Sequence, residues 1–269
     1  MPVSTGLDTL VPFQGAGGGL VAGLVAVSGA ALAPLPGFAV GYVGPDGRER
    51  WESLIAAAAV AFESVAPVRP FPVYRGQRNN TGLWWSATVG GHVSFESWLE
   101  RDHLTLLDFD PTVTGMASQP FWLSWDERGR RRSHAPDFFV RLVDGTGVVV
   151  DVRPADRVPA KDAAVFAVTG RACEQVGWEY RLVHEPDPVL MANVRWLAGY
   201  RHPRCLRPAV AAAAAGVFAE PMPLMEGAAL LGDPLASLPT VFHLLWCGRL
   251  HTDLAVPLSE LSLVTAVSR

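Results

Sequence analysis

The segment HAPDFFVRLVDGTGVVVDVRP, residues 134–154, limits what this chain can fold into more than any other stretch. Two runs of β-branched and aromatic residues flank Asp144-Gly145, a pair that closes tight hairpins because glycine reaches positive φ without steric cost. The two runs are therefore expected to pair as antiparallel strands. Side chains alternate across a strand, so Val148, Val150 and Val152 are expected on the core face, with Val149, Asp151 and Arg153 on the other. Asp137 opens the first strand, and the turn brings its carboxylate near that of Asp151. Two neighbouring carboxylates repel and do not both ionise cheaply without a cation. A hard divalent ion, Mg²⁺ most simply with Mn²⁺ as substitute, resolves that repulsion through oxygen ligands.

The flanking pattern builds a domain around this hairpin. SFESWLERDHLTLLDF places Phe95, Trp98, Leu99, Leu106 and Phe109 near helical spacing, with Ser94 as the expected N-cap. Glu100 lies on that helix, with Glu96 one turn earlier on the same face, and either is placed to approach the acidic pair from the side. TVTGMAS, QPFWLSW and RSHAPDFFVRLV read as strands, as does GVVVDVR; PAKDAAVFAVTGRACEQVG reads as a helix, WEYRLVHE as a strand and DPVLMANVRWLAGY as a helix. That order predicts an α/β fold, a mixed sheet flanked by helices. Beyond Tyr200, three short apolar helices and a hairpin-like tail predict a small C-terminal winged-helix domain. The expected division is 1–67, Ala/Gly-rich and of unclear role; 68–186, the sheet domain; and 187–269, the helical domain.

Composition excludes some classes. The formal net charge is −4, so the chain does not coat nucleic acid through bulk charge, and any grip on DNA is local or shared with a partner. The local candidates are Arg130, Arg131 and Arg132, although Asp126 and Glu127 beside them equally suit a solvated hairpin loop. Three scattered cysteines give no disulfide framework, and a reducing cytoplasm is the default. The uncharged stretch from Thr9 to Pro45 follows Asp8, lacks a preceding Lys or Arg and is broken by Gly and Pro, which argues against a signal peptide or membrane span. His243, Cys247 and His251 follow helical spacing, but VFHLLWCGRL reads as a core helix in which cysteine is a small hydrophobe.

A helix acid, then Pro136-Asp137, then Asp151-Val152-Arg153 on paired strands resembles the PD-(D/E)xK nuclease core, a restriction-endonuclease-like fold. Over FESWLERDHLTLLDFDPTVTGMASQPFWLSW and HAPDFFVRLVDGTGVVVDVRP the chain resembles the TnsA-like endonuclease subunit of heteromeric transposases. The resemblance implies Glu100, Asp137 and Asp151 as metal ligands and Arg153 as the fourth catalytic residue. Gln119 matches a Gln-Pro recurring in that family and joins the arginines as a candidate DNA contact. The resemblance also implies DNA as substrate, 3′-hydroxyl and 5′-phosphate products, and two partners, a DDE-type transposase subunit and an AAA+ ATPase regulator. One departure matters: Arg153 stands where the family usually has lysine. Arginine stays protonated and is no general base, but a fixed cation still stabilises phosphate charge. Lys161, the only lysine in the chain, lies near the start of the next helix and is an alternative cation. Two other readings stay open: a degenerate nuclease fold serving DNA binding or assembly, and a restriction or repair nuclease unconnected to transposition.

Overall fold

A computed structural model describes residues 37–69, 80–156 and 158–267. The uncharged, apolar run before residue 37 and residues 70–79 lie outside the described residues. β1 (Ala39–Val43) and β2 (Glu49–Ser53) form a hairpin over Pro45-Asp46-Gly47, where Gly47 takes φ +75°. A one-turn helix α1 (Leu54–Ala57) and a 3-10 turn at Phe62–Ser64 follow. A second hairpin, β3 (Gly82–Ser86) and β4 (Gly91–Phe95), leads into α2 (Trp98–Phe109).

The next strands divide between two sheets. β5 (Val113–Ser118), β8 (Phe138–Leu142), β9 (Gly147–Val152) and β10 (Glu179–Val183) form a mixed sheet in the order β10-β9-β8-β5, with only β9 and β10 parallel. The parallel pair is joined by α3 (Ala160–Gln175), the helical crossover that parallel strands require. β6 (Trp122–Glu127) and β7 (Arg130–His134) instead join β1 and β2 in an antiparallel sheet, β2-β1-β6-β7. The β8–β9 hairpin closes as expected at Asp144-Gly145: Gly145 takes φ +90°, and Asp144 Oδ1 accepts the Thr146 N–H at 2.9 Å.

Both faces of β9 are core. Val148, Val150 and Val152 pack with Leu104 and Leu107 of α2, whereas Val149 packs with Phe62, Phe121, Phe139 and Trp178 between the two sheets. The expectation of a single valine core face is corrected, because the second sheet covers the opposite side. The boundary expected at residue 67 does not divide the described structure either. β1 pairs with β6, and the Phe62 ring meets Phe121, Phe139 and Trp178 at centroid distances of 4.8, 5.7 and 5.6 Å. Burying such aromatic side chains is worth roughly 2 kcal/mol or more each, so this strand pair belongs to the sheet domain's core.

α4 (Pro188–Ala198), capped by Asp187 accepting from Val189 N and Leu190 N, packs on α2, where Arg195 pairs with Asp102. Beyond it come a 3-10 turn at Pro203–Cys205, α5 (Pro208–Val217), β11 (Met222–Pro223), α6 (Leu224–Leu230), α7 (Pro234–Trp246), β12 (Leu250–His251) and β13 (Leu263–Ala266). β13 lies between β11 and β12. The C-terminal core includes Leu106 of α2, so it runs on from the sheet domain. Among the described residues no single helix is long and apolar enough to cross a membrane.

Candidate active site

The pairing Phe138↔Val150 sets Asp137, one residue before β8, across from Asp151 on β9. Both carboxylates are buried, Asp151 at 0% exposure and Asp137 at 6%. Asp137 Oδ2 accepts the Val152 N–H at 2.7 Å and Arg153 Nη1 at 2.9 Å. Burial above all, and then the Asp151 charge, pushes the Asp137 carboxyl up to about 7, against the pull of Arg153 and the Val152 N–H. Arg153 Nη1 also donates to the Val152 carbonyl at 2.6 Å, and its guanidinium lies 5.5 Å over the Phe166 ring of α3. Burial opposes its charge, but Asp137, Asp151 and Glu100 outweigh it and hold the group protonated.

Asp151 is held by two residues the motif reading passed over. His134 Nε2, at the end of β7, lies 2.9 Å from each Asp151 oxygen, and the Tyr180 hydroxyl of β10 donates to Oδ2 at 2.8 Å. Burial and the Asp151 charge raise the Tyr180 pKa far above its ordinary value, so the hydroxyl keeps its proton. The signal for His134 was its place three residues before Asp137. Tyr180 had no local signal, since its contact depends on the parallel register that pairs Tyr180 with Val149.

The helix acid is placed differently from the sequence expectation. α2 is capped by Ser97, not Ser94, which lies in β4, and Glu96 precedes the helix rather than sharing its face. Ser97 Oγ accepts the Glu100 N–H at 3.1 Å and donates to Oε1 at 2.9 Å, while Oε2 accepts the Glu96 N–H at 2.7 Å. Glu100 thus serves a capping-box role, with Glu96 N as its backbone partner. Burial raises its pKa, and it lies near enough to Arg153 and Asp137 to interact with both charges.

Gln119 is not a surface DNA contact. It is 2% exposed, its Oε1 accepts from Arg69 Nε at 2.9 Å, and its Nε2 donates to Glu96 Oε2 at 2.9 Å. Its backbone takes φ +44° and its N–H donates to the Asp137 carbonyl at 2.9 Å. A non-glycine residue in the left-handed region is strained, and here the strain sits directly beside the acidic pair. Arg130, Arg131 and Arg132 are exposed on edge strand β7, whose last residue is His134. Arg132 pairs with Glu127 at 3.0 Å; Arg131 donates to Ser124 Oγ at 2.7 Å and stacks 4.9 Å from the Trp51 ring. Lys161 is exposed in the first turn of α3. Arg195, Arg201 and Arg207 near the domain joint have internal partners: Asp102, the Trp85 carbonyl and the Ala236 carbonyl.

The donor chemistry suits a hard cation: two buried, mutually repelling carboxylates, one already forced toward the protonated form. Among the described residues, however, no three of His, Cys, Asp and Glu converge to hold one ion. Mg²⁺ usually uses one or two carboxylates and fills its other positions with water and substrate phosphate, so Asp137 and Asp151 fit as a two-carboxylate site. Glu100 does not complete a protein cage while its oxygens cap α2.

Residues 110–185 match the family model described as TnsA-like endonuclease N terminal. That span runs from β5 through β10 and contains Gln119, His134, Asp137, Asp151, Arg153 and Tyr180; Glu100 lies before it. Over these residues the chain is similar to a TnsA-like nuclease domain, the likeness its motifs suggested. No curated protein matches the chain.

Proposed function

We propose that the chain is a metal-dependent DNA endonuclease subunit of a heteromeric transposase, hydrolysing phosphodiester bonds at transposon ends. The observation that carries this reading is the buried Asp137–Asp151 pair, with Arg153 on Asp137, inside the span that matches the TnsA-like model. Asp137 and Asp151 would hold the ion. When bound, Mg²⁺ or Mn²⁺ supplies Lewis-acid polarisation of the phosphoryl oxygen and a water of lowered pKa. Arg153, one-third exposed, keeps its charge and shares it between Asp137 and the incoming phosphate, where a preorganised cation stabilises developing negative charge. Glu100 contributes its field and the fixed start of α2.

The C-terminal element order, helix, strand, two helices and two strands with the last strand central, supports a winged-helix reading of the residues after Arg207. α7, which would be its reading helix, contains no Lys or Arg and buries Val241 through Trp246. Without Lys or Arg, that helix lacks the side chains that most often read base edges, which leaves sequence choice to partners. Partners of the DDE-transposase and AAA+ ATPase classes fit such a division of labour.

A degenerate, non-cleaving nuclease fold is favoured by one observation: hydrogen bonds already engage both oxygens of Asp151 and both of Glu100. Thermal denaturation with Mn²⁺ separates the readings. An ion that binds only the folded chain stabilises it by about 2.7 kcal/mol at a hundred times its Kd, roughly 5 °C for a chain of this size. The endonuclease reading expects that rise in wild type and its loss in Asp137→Asn. No rise in wild type supports the degenerate reading and overturns the metal site.

A further inference from the structure

Asp151 is the penultimate residue of β9, the strand between β8 and β10, and has no exposed surface. Its carboxylate nevertheless receives donors from two different sheets: His134 arrives on β7 of the antiparallel sheet and Tyr180 on β10 of the mixed sheet. Each donor is itself fixed. The His134 ring packs edge-on against Phe166 at 5.9 Å, the same ring that underlies Arg153 at 5.5 Å, and Phe166 is 2% exposed on α3. The Tyr180 ring lies against Gly170 of α3, where a Cβ would come within 3.3 Å of the ring; the missing side chain leaves room for it. These contacts hold both donors against Asp151. His134 Nε2 reaches both oxygens and the Tyr180 hydroxyl reaches Oδ2, three contacts on a carboxylate with about four acceptor positions, so the two donors orient it and leave one position open.

We propose that His134 and Tyr180 are positioning residues that fix the plane of the Asp151 carboxylate and thereby set the affinity of the Asp137–Asp151 site for a divalent ion. The inference rests on the metal-site reading above. It does not depend on the charge of His134, because the neutral Nε2–H tautomer donates as the imidazolium does. Partners of this kind stand behind the ligand: their loss lets the carboxylate rotate, and typically costs 10- to 100-fold in metal affinity.

The test is calorimetric titration of the full chain with Mn²⁺ alone, without DNA, on wild type, Tyr180→Phe, His134→Ala and His134→Gln, each confirmed folded by its thermal transition. Tyr180→Phe removes one oxygen and keeps the ring on Gly170. It is expected to weaken Mn²⁺ binding about tenfold. His134→Ala is expected to do the same or more, and His134→Gln, which restores an N–H donor, to recover most of that loss. Wild-type affinity in folded Tyr180→Phe and His134→Ala overturns the positioning role while leaving the metal site intact. Absence of Mn²⁺ binding by wild type overturns the site itself and the positioning role with it.

Discussion

Asp137 stands between opposing influences: burial and the Asp151 charge push its carboxyl up to about 7, while Arg153 and the Val152 N–H favour the carboxylate. The consequence is a definite pH dependence. The folded chain holds a proton at Asp137 that the unfolded chain, titrating near 3.8, releases earlier. Between those values the folded state binds more protons, so this group's stabilisation is present below pH 4 and lost as pH rises toward 7 and beyond. Metal-free Asp137→Asn is therefore expected to be more stable than wild type at pH 8, by on the order of 1–2 kcal/mol, since the lost ion pair with Arg153 offsets part of the gain. The difference should shrink at pH 5. Thermal midpoints of both proteins across pH 5–8 check the sign; a variant less stable than wild type at pH 8 contradicts it. Such a cost at neutral pH fits the metal-ligand role proposed for Asp137. Asp137, Asp151 and Arg153 were legible in the sequence because a hairpin brings them together through local pairing. Tyr180 was not, because its contact with Asp151 requires the α3 crossover.

At the level of elements, α2 and the turn at Gln119 show how local chemistry positions the site. Helical periodicity marked α2, but its start was misplaced by one short step: the Ser97-x-x-Glu100 pattern lies three residues beyond Ser94 and converts the expected ligand into a cap. The split of β6 and β7 from the mixed sheet was not legible either. It depends on β1 pairing with β6 across about eighty residues of chain, which no local periodicity encodes. Gln119 lies at that transition between sheets, strained and buried. Gln119→Ala keeps the strain and removes the bonds to Arg69 and Glu96, with an expected loss of about 2 kcal/mol. Gln119→Gly removes the same bonds but relieves φ +44°, and is expected to unfold at a higher urea concentration than the alanine variant. The reverse order of urea midpoints would mean that the backbone there stores no strain.

Across the whole molecule, two sheets meet at β9, and the C-terminal helices are fastened to the same body. Arg201 joins them: it lies 4.2 Å over the Trp84 ring and donates to the Trp85 carbonyl, beside Asp108, which accepts from Trp84 Nε1, Ser86 Oγ, Ala87 N and Thr88 N. The α/β class and the three C-terminal helices could be read from periodicity and turn residues, whereas this joint could not, because its parts lie more than a hundred residues apart. The modest net charge agrees with the proposed sharing of the grip on DNA with partners. The central claim is that this fold assembles a metal-dependent phosphodiester-cleaving centre around Asp137 and Asp151. Its most direct test is nicking of supercoiled plasmid in Mn²⁺ by wild type and Asp137→Ala. Wild type is expected to convert the plasmid to open circles, with the variant slower by about a hundredfold or more; equal rates in the two proteins would contradict the account.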